Sequence, residues 1–591
     1  MKKPRALAIG FLLASLLFFL QMPLQVAAQD QAPAADVTQN ADQSPPPDAS
    51  QPGTPAQDPP SRVARLDFSS GSVSLQPGGE GDWVTAVTNR PLTTGDNLWA
   101  DKDSHAELEI GSTDLRLSSE TSVTFLDLDD HTTQLKLSLG SIIVRVRHLD
   151  DGDNFEIDTP NLAFTVQRTG EYRIDVNADG TETDATVWQG RGEATGGGSS
   201  FVVIADQEAR FTGTDQLDHQ ISEIPPADDF DNWAFDRDRR EDQSESANYI
   251  STEVTGYEDL DAYGQWHFAA GFGPVWTPAG VALGWAPYRF GHWVWIEPWG
   301  WTWVEDEPWG FAPFHYGRWA FIESSWCWVP GPVVVRPVYA PALVAFVGGG
   351  GFHFAVGVGP AVGWFPLAPG EVYVPAYRVS PLYVNNINIT NTRISVTQVT
   401  RVYNDYRNNN VAHITYANQR VPSAVTAVSH DAFVNARPVA RNMVQVDAKA
   451  LAEAPVSRGP SVQPEKASVL GAGTPARVQP PAAIVNRQVV ATRMPAPPRA
   501  SLEQRQSAAN VRTVTPGPGQ PASRPVSHPA PNAFNGNYSH PLVRTAPPVQ
   551  ARPQEQQSEQ SKFNAWQRQR QQRSAPAPRP QEHHESSDHR R

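Results

Sequence analysis

The sequence predicts an all-β chain with two folded parts. A β domain is followed by a short-strand, tryptophan-rich repeat domain, and both sit between a disordered leader and a disordered tail. Three observations predict this. Short apolar–polar alternations recur from Arg62 to Thr214, bounded by Gly, Asn and Asp. Twelve of the 18 Trp lie between Trp266 and Trp328. The chain also holds 54 Pro and 43 Gly in 591 residues, too many for a chain that packs throughout.

The first 28 residues read as an address. Lys2, Lys3 and Arg5 precede an apolar run from Ala6 to Leu20, which is short for a bilayer span of ~20 residues. Val26-Ala27-Ala28 offers small residues for signal cleavage after Ala28, and no Cys follows to carry a lipid. The expected product is periplasmic or secreted from a bacterium, with no transmembrane segment after cleavage. Residues 29–61 are rich in Ala, Gln, Pro and Asp and read as a disordered leader.

From Arg62 the pattern changes to half-buried strands. Val73-Ser-Leu75, Ala106 to Ile110, Leu115-Arg-Leu117, Val123-Thr-Phe125, Leu135-Lys-Leu137, Ile143 to Val146 and Phe155-Glu-Ile157 alternate as strands do. Tyr172 to Val176, the turn Asn177-Ala-Asp179-Gly180, and Ala185 to Trp188 predict a hairpin. The predicted β domain spans residues 62–214. Residues 215–255 carry Asp228, Asp229, Asp231, Asp236, Asp238, Glu241, Asp242 and Glu245, whose repulsion predicts an extended acidic linker. Neither this run nor Asp150 to Asn154 has the spacing of a twelve-residue calcium loop, so no metal is expected.

The repeat region, residues 256–438, is explicit. Gly284-Trp-Ala-Pro-Tyr-Arg-Phe-Gly-His-Trp293 returns as Gly310-Phe-Ala-Pro-Phe-His-Tyr-Gly-Arg-Trp319, 26 residues later. A partial copy precedes at Tyr263 to Trp266, and a remnant follows at Gly363-Trp364. Such repetition means one small unit stacked several times. Trp293 and Trp295, then Trp299, Trp301 and Trp303, then Trp326 and Trp328 alternate, so each set shares a strand face with Trp319 nearby. The ladder has three readings. It is a core, because a 26-residue unit needs large side chains to bury area. It is an exposed platform for sugar rings. Or it is a protein-docking face made of Trp293, Trp295, Trp299, Trp301, Trp303, Trp319, Trp326 and Trp328. Ile387-Asn-Ile389 and Ile394-Ser-Val396 beyond it also alternate like strands.

Residues 439–591 form the predicted tail, with 22 Pro from Ala452 onward, Gln runs and scattered Arg. A short helix is expected at Ser558 to Arg573. His584 and His589 are five residues apart, where a helical zinc motif needs four. Charge divides the mature chain: residues 29–350 hold 51 acidic and 18 basic side chains, and residues 351–591 hold 12 and 26. The lone Cys327 excludes an internal disulfide and any multi-cysteine metal site. The four-glycine run at Gly348 lacks the Lys-Ser/Thr of a phosphate loop. No nucleophile, zinc or paired-carboxylate motif stands out. The expectation is no enzyme, no catalytic residue, no cofactor and no nucleic acid.

The β domain also carries a resemblance. Gly71-Ser-Val73, Trp83, Pro91-Leu92 and Gly95-Asp-Asn-Leu98 are followed by Leu139-Gly140-Ser-Ile142, Phe155 to Pro160, Thr169-Gly-Glu-Tyr172 and Thr186-Val-Trp-Gln-Gly190. This resembles the FecR-type periplasmic domain over Arg62 to Thr214. The family is named for sensors that relay an outer-membrane signal to a cytoplasmic sigma factor, and it implies an exported interaction domain without catalytic residues. In such sensors a cytoplasmic helical segment and a membrane span precede the domain, whereas five residues precede the apolar run here. An exported protein-interaction scaffold or sensor-like module is therefore expected ahead of a membrane-anchored sigma-factor regulator. The segment from Gly256 to Pro438 resembles uncharacterised exported bacterial proteins with Trp/Gly/Pro-rich repeats, which imports no activity. The expected partner is an envelope protein or, on the alternative reading, a carbohydrate or peptidoglycan polymer.

Overall fold

The computed structural model describes residues 57–334, 336–347, 355–356, 359–411, 414–421, 424–446, 454–513 and 539–549. The signal cleavage site at Ala28, the glycine run at Gly348 and the helix expected at Ser558 to Arg573 lie outside the described residues.

The β domain is a two-sheet sandwich. Its strands are β1 (Ala64–Ser70), β2 (Val73–Gln76), β3 (Val84–Thr85), β4 (Pro91–Leu92), β5 (Asn97–Ala100), β6 (His105–Ile110), β7 (Thr113–Leu117), β8 (Thr121–Leu128) and β9 (Thr132–Val146). The second half adds β10 (Asn154–Asp158), β11 (Ala163–Val166), β12 (Gly170–Val176), β13 (Glu182–Gln189), β14 (Arg191–Gly196), β15 (Ser199–Ile204), β16 (Gln207–Thr212) and β17 (Asp218–Glu223). Sheet one runs β4-β1-β6-β7-β9-β12-β13-β16-β17. Sheet two runs β3-β2-β5-β8-β9-β10-β11-β14-β15.

Strand β9 belongs to both sheets. Its first half, Thr132 to Leu139, pairs in sheet two, and its second half, Gly140 to Val146, pairs in sheet one. Gly140 makes the crossing, with φ at +92° and the Thr121 Cα only 2.6 Å from where a Cβ would stand. The two strands expected at Leu135 and Ile143 are thus one strand of 15 residues. Inward residues of both sheets, such as Leu108, Leu115, Val123, Leu137, Val144, Ile157 and Ile174, form one core.

The acidic stretch is not an extended linker. Asp229–Glu241 is helix α1, and the segment before it forms β17. Asp228 caps α1: its side chain accepts from Asp231 N, and Asp231 returns a bond to Asp228 N, each 2.9 Å. Repulsion does not win because arginines on sheet one neutralise the carboxylates.

The repeats fold as hairpins, as the sequence predicts. After helix α2 (Asp259–Tyr263), β18 (Gly264–Ala269) pairs with β19 (Gly273–Pro278). Then β20 (Gly291–Ile296) pairs with β21 (Gly300–Glu305). Helix α3 (Ala312–His315) leads to β22 (Arg318–Ile322), which pairs with β23 (Ser325–Val329). The remnant lies in β26 (Gly359–Pro366), which pairs with β24 (Val344–Val347) and β25 (Ala355–Val356). Equivalent positions of the two full repeats touch: the Tyr288 hydroxyl donates to the Phe314 carbonyl at 2.7 Å, and their rings meet edge to face.

Two further strand expectations fail. Pro381–Ile389 is helix α4 and Val396–Arg407 is helix α5, each capped by a serine, Ser380 or Ser395. Beyond them lie β27 (Thr426–Ser429), α6 (His430–Val434) and β28 (Val456–Ser457).

The described part of the predicted tail also departs from disorder. Helices α7 (Lys466–Leu470) and α8 (Ala482–Val485), strand β29 (Val489–Ala491), helix α9 (Leu502–Thr513) and strand β30 (Val543–Thr545) follow one another. Val489, Ala491 and Val543 are buried with Leu126 of the β domain. Proline content excludes long elements here, but a segment lying on a finished sheet needs only short ones.

Candidate functional site

The outer faces of the two sheets hold the chain's chemistry-bearing side chains outside the repeats. On sheet one, Glu107, Glu109, Asp114, Arg116, Arg145 and Arg173 alternate with the core residues of their strands, so they point away from the core. Helix α1 covers them. Phe230 and Ala234 bury against Ile143, and the charges pair around that contact. Arg116 Nη1 reaches Asp238 at 2.8 Å, and its Nε donates to Glu107 at 2.8 Å. Arg147 holds Asp114 at 2.8 Å and also pairs with Glu241. Arg145 holds Asp242 at 2.8 Å. Arg173 bonds Asp228 and Asp231 at the start of the helix.

The repeat domain joins the same network. Arg65 is fully buried and pairs with Asp67 at 3.1 Å, Glu109 at 3.2 Å and Asp259 of α2 at 2.5 Å. It also donates to the Pro308 carbonyl at 2.8 Å, and Asn89 donates to the Glu307 carbonyl at 2.7 Å. Burial works to lower the Arg65 guanidinium, and Asp259, Glu109 and Asp67 overcome it, holding it well above its ordinary value. Carboxyls outnumber guanidiniums, so several hold their protons. Burial pushes Glu171 up to about 8, helped by Asp238, and pushes Glu241 up to about 9, helped by Asp114. Burial and then Glu109 raise Glu258 well above the carboxylate range.

Asp114, Asp238 and Glu241 place carboxylate oxygens within 4.8 Å of one another, close enough for a metal. The charge a cation would bring is already supplied by Arg116, Arg145 and Arg147. This network was missed in the sequence, although a signal was there. Asp228, Asp231, Asp238 and Glu241 recur at three- and seven-residue spacings, a helical face.

The proposed tryptophan face is corrected by burial. Trp293, Trp299, Trp301, Trp303, Trp319, Trp326 and Trp328 are all buried, and Trp295 is half-buried against the same cluster. A ring packed on its neighbours offers no face to a ligand. Trp293 alone meets Trp303, Trp364, Phe346 and Phe433. Four of the buried indole N–H groups are used as donors: those of Trp276, Trp319, Trp328 and Trp364 donate to the carbonyls of Leu260, Pro313, Tyr316 and Tyr288 at 2.9 to 3.0 Å. Cys327 is a small buried side chain beside Thr277, and burial raises its thiol. His315 is buried, donates from Nδ1 to the Ala340 carbonyl and is held down to about 3 by desolvation.

The outer face of sheet two is covered by the C-terminal segment. Ser74 Oγ donates to the Val478 carbonyl at 2.8 Å, Lys136 Nζ to the Val485 carbonyl at 2.5 Å, and Gln134 Nε2 to the Arg493 carbonyl at 3.0 Å. Glu156 accepts from Thr492 N at 2.8 Å, and the Thr159 carbonyl accepts from Val490 N at 2.8 Å. Beneath, Asp158 is fully buried; it accepts from Gln134 through Oδ2, and Oδ1 has no partner. Burial and then Glu156 raise its carboxyl well above the ordinary range. Two cavities, one beside Tyr316 and Trp328 and one beside Arg62 and Glu253, hold about 10 Å³ each, room for about one water.

A family model described as "FecR protein" matches residues 96–191, which run from the turn before β5 into β14. A second, described as a family of unknown function, DUF6600, matches residues 257–371. The chain carries a FecR-like domain and a separate DUF6600 region. The first match spans both sheets through β9, and the second spans the Trp hairpins from before α2 to the end of β26. Two crystal structures of a "putative anti-sigma factor" from Parabacteroides distasonis ATCC 8503 are similar to part of this chain at 13% and 12% identity. Each likeness covers 22% of this chain and 59% of that one, with a TM-score of 0.20. No curated protein matches the chain. Among the described residues no helix is long and apolar enough to cross a membrane.

Proposed function

We propose that the chain is a non-enzymatic exported envelope protein, in which the FecR-like domain and the Trp hairpins form one scaffold for protein interaction. The burial of the Trp ladder carries this reading. A carbohydrate platform needs exposed indoles, and seven of the eight candidate rings are inside. The charged side chains of sheet one are likewise taken up in joining α1 and the repeats to the β domain. Among the described residues, the exposed large apolar side chains include Phe268, Phe321 and Ile221, in strands β18, β22 and β17. The periplasmic or secreted location rests on the sequence of residues 1–28 and on the company FecR-type domains keep.

The test is photo-crosslinking in cells that export the chain, with a photoreactive side chain at Phe268 or Ile221. The expected result is a discrete protein adduct in the envelope fraction, from a mature chain that begins at Gln29. Adducts to glycan strands alone would contradict the scaffold reading.

A further inference from the structure

The outer face of sheet two is built to hold an extended chain by its backbone. Four of its polar side chains, Ser74, Gln134, Lys136 and Glu156, bond main-chain atoms of the segment above them, while Thr492 and Arg487 of the segment add side-chain bonds to Glu156 and to the Ser138 carbonyl. Thr159 adds a carbonyl at strand spacing, two residues from Glu156 along the bound segment. The segment's own secondary structure is slight. Strand β29 has three residues and pairs in parallel with β30, also of three. Its apolar anchor is Val489 and Ala491, which sit on Leu126 with Val543. The buried Asp158 with an unpartnered oxygen lies under the same stretch. A face that exists to complete a core would be apolar. This one is polar, reads mostly main chain and takes a small apolar anchor, which are the features of a peptide groove.

We propose that the outer face of sheet two, over Gln134, Lys136, Glu156 and Thr159, is a binding groove for an extended peptide segment, closed in cis by residues Ala482 to Met494. The partner it fits is an extended segment of an envelope protein with small β-branched or Ala side chains at alternate positions and free N–H groups where Val490 and Thr492 stand. The inference deepens the scaffold reading by giving its partner a site. It is tested with the chain's own peptide, so failure to find an envelope partner leaves it standing.

A tethered occupant competes at an effective concentration of about 1 mM. Detaching it should therefore tighten peptide binding by at least about tenfold. The full chain with Val489→Asp and Ala491→Asp is titrated against a labelled peptide of residues 482–494, with the unaltered chain beside it. The altered chain should bind at least about tenfold tighter, and Glu156→Leu added to it should cancel the gain. A peptide with Pro at the positions of Val490 and Thr492 should not bind, because it lacks both N–H groups. A second measurement leaves the face and its occupant otherwise intact. In the chain with Ala491→Cys, saturating peptide should speed modification of the introduced thiol, while the buried Cys327 stays slow. Equal binding by the opened and unaltered chains, equal binding of the proline peptide, no acceleration of the thiol, or loss of the β-sheet spectrum on detachment would each overturn the proposal.

Discussion

The two outer faces of the FecR-like sandwich are both covered, and they are covered by different chemistry. Sheet one meets α1 through side chains on both partners: five arginines, Arg65, Arg116, Arg145, Arg147 and Arg173, each paired with carboxylates from the helix, the sheet or α2. Sheet two meets its cover largely by side chains on the sheet and backbone on the segment, with Thr492 and Arg487 adding side-chain bonds from the segment. The first arrangement accepts one partner, because every charge needs its opposite in place. The second asks for an extended backbone with N–H groups at Val490 and Thr492 and small apolar side chains at Val489 and Ala491. The helix follows directly on the domain in sequence, whereas the segment over sheet two returns from more than 250 residues beyond β17. The comparison teaches that one cover is part of the fold and the other behaves as a bound ligand.

The largest effect is expected on sheet one. Arg116→Ala leaves Glu107, Asp114 and Asp238 buried without their shared cation, so a loss of about 3–5 kcal/mol is predicted in chemical denaturation. A loss under about 1 kcal/mol would put the ion pairs in the class of surface bridges and erase the contrast.

The same face should be sensitive to alkali. Glu171, Glu241, Glu258 and Asp259 all have carboxyls raised by burial, to about 8, about 9, well above the ordinary range, and about 8. A group whose pKa is raised in the folded state stabilises fully below its unfolded value, near 4.5 or lower, and that stability is lost as pH rises through the folded value. The melting midpoint should therefore fall as the pH rises from about 4.5 to about 9. A midpoint flat across that range would contradict the raising of these carboxyls by burial.

Smaller effects separate the covers further. Asp228→Ala removes the cap of α1 and a partner of Arg173, for a loss of about 1 kcal/mol. Detaching the segment over sheet two with Val489→Asp and Ala491→Asp should lower the main unfolding transition by only about 1.4 kcal/mol, the stabilisation that a groove occupied about tenfold supplies. Trypsin cleavage after Arg487 and Arg493 should nevertheless become faster, as read by mass spectrometry of the fragments.

Much of this was legible in sequence where interactions are local. The alternation at Ala106 to Ile110, Leu115 to Leu117 and Tyr172 to Val176, and the 26-residue repeat, gave the strands and hairpins their places. Local patterns mislead where the deciding partner is distant. Repulsion among Asp228 to Glu241 argued for an extended chain because Arg116, Arg145 and Arg147, about 90 to 120 residues earlier, do not enter a local count. Ile387 and Ile389 alternate over three residues, too few to tell a strand from a helix, and the serine caps at Ser380 and Ser395 carried the better signal. The Trp ladder was legible as a pattern, but core and platform share that pattern, and only burial separates them. The cover of sheet two left no periodicity at all, because a main-chain contact places few demands on side chains.

Hydrogen exchange on the intact chain tests the contrast most directly. The account predicts that the amides of Val490 and Thr492 exchange through local opening, well before those of α1 and of β9 and β10 beneath them. Exchange of Val490 and Thr492 only together with β9 and β10, in one cooperative unit, would contradict it and make the segment a permanent part of the sandwich.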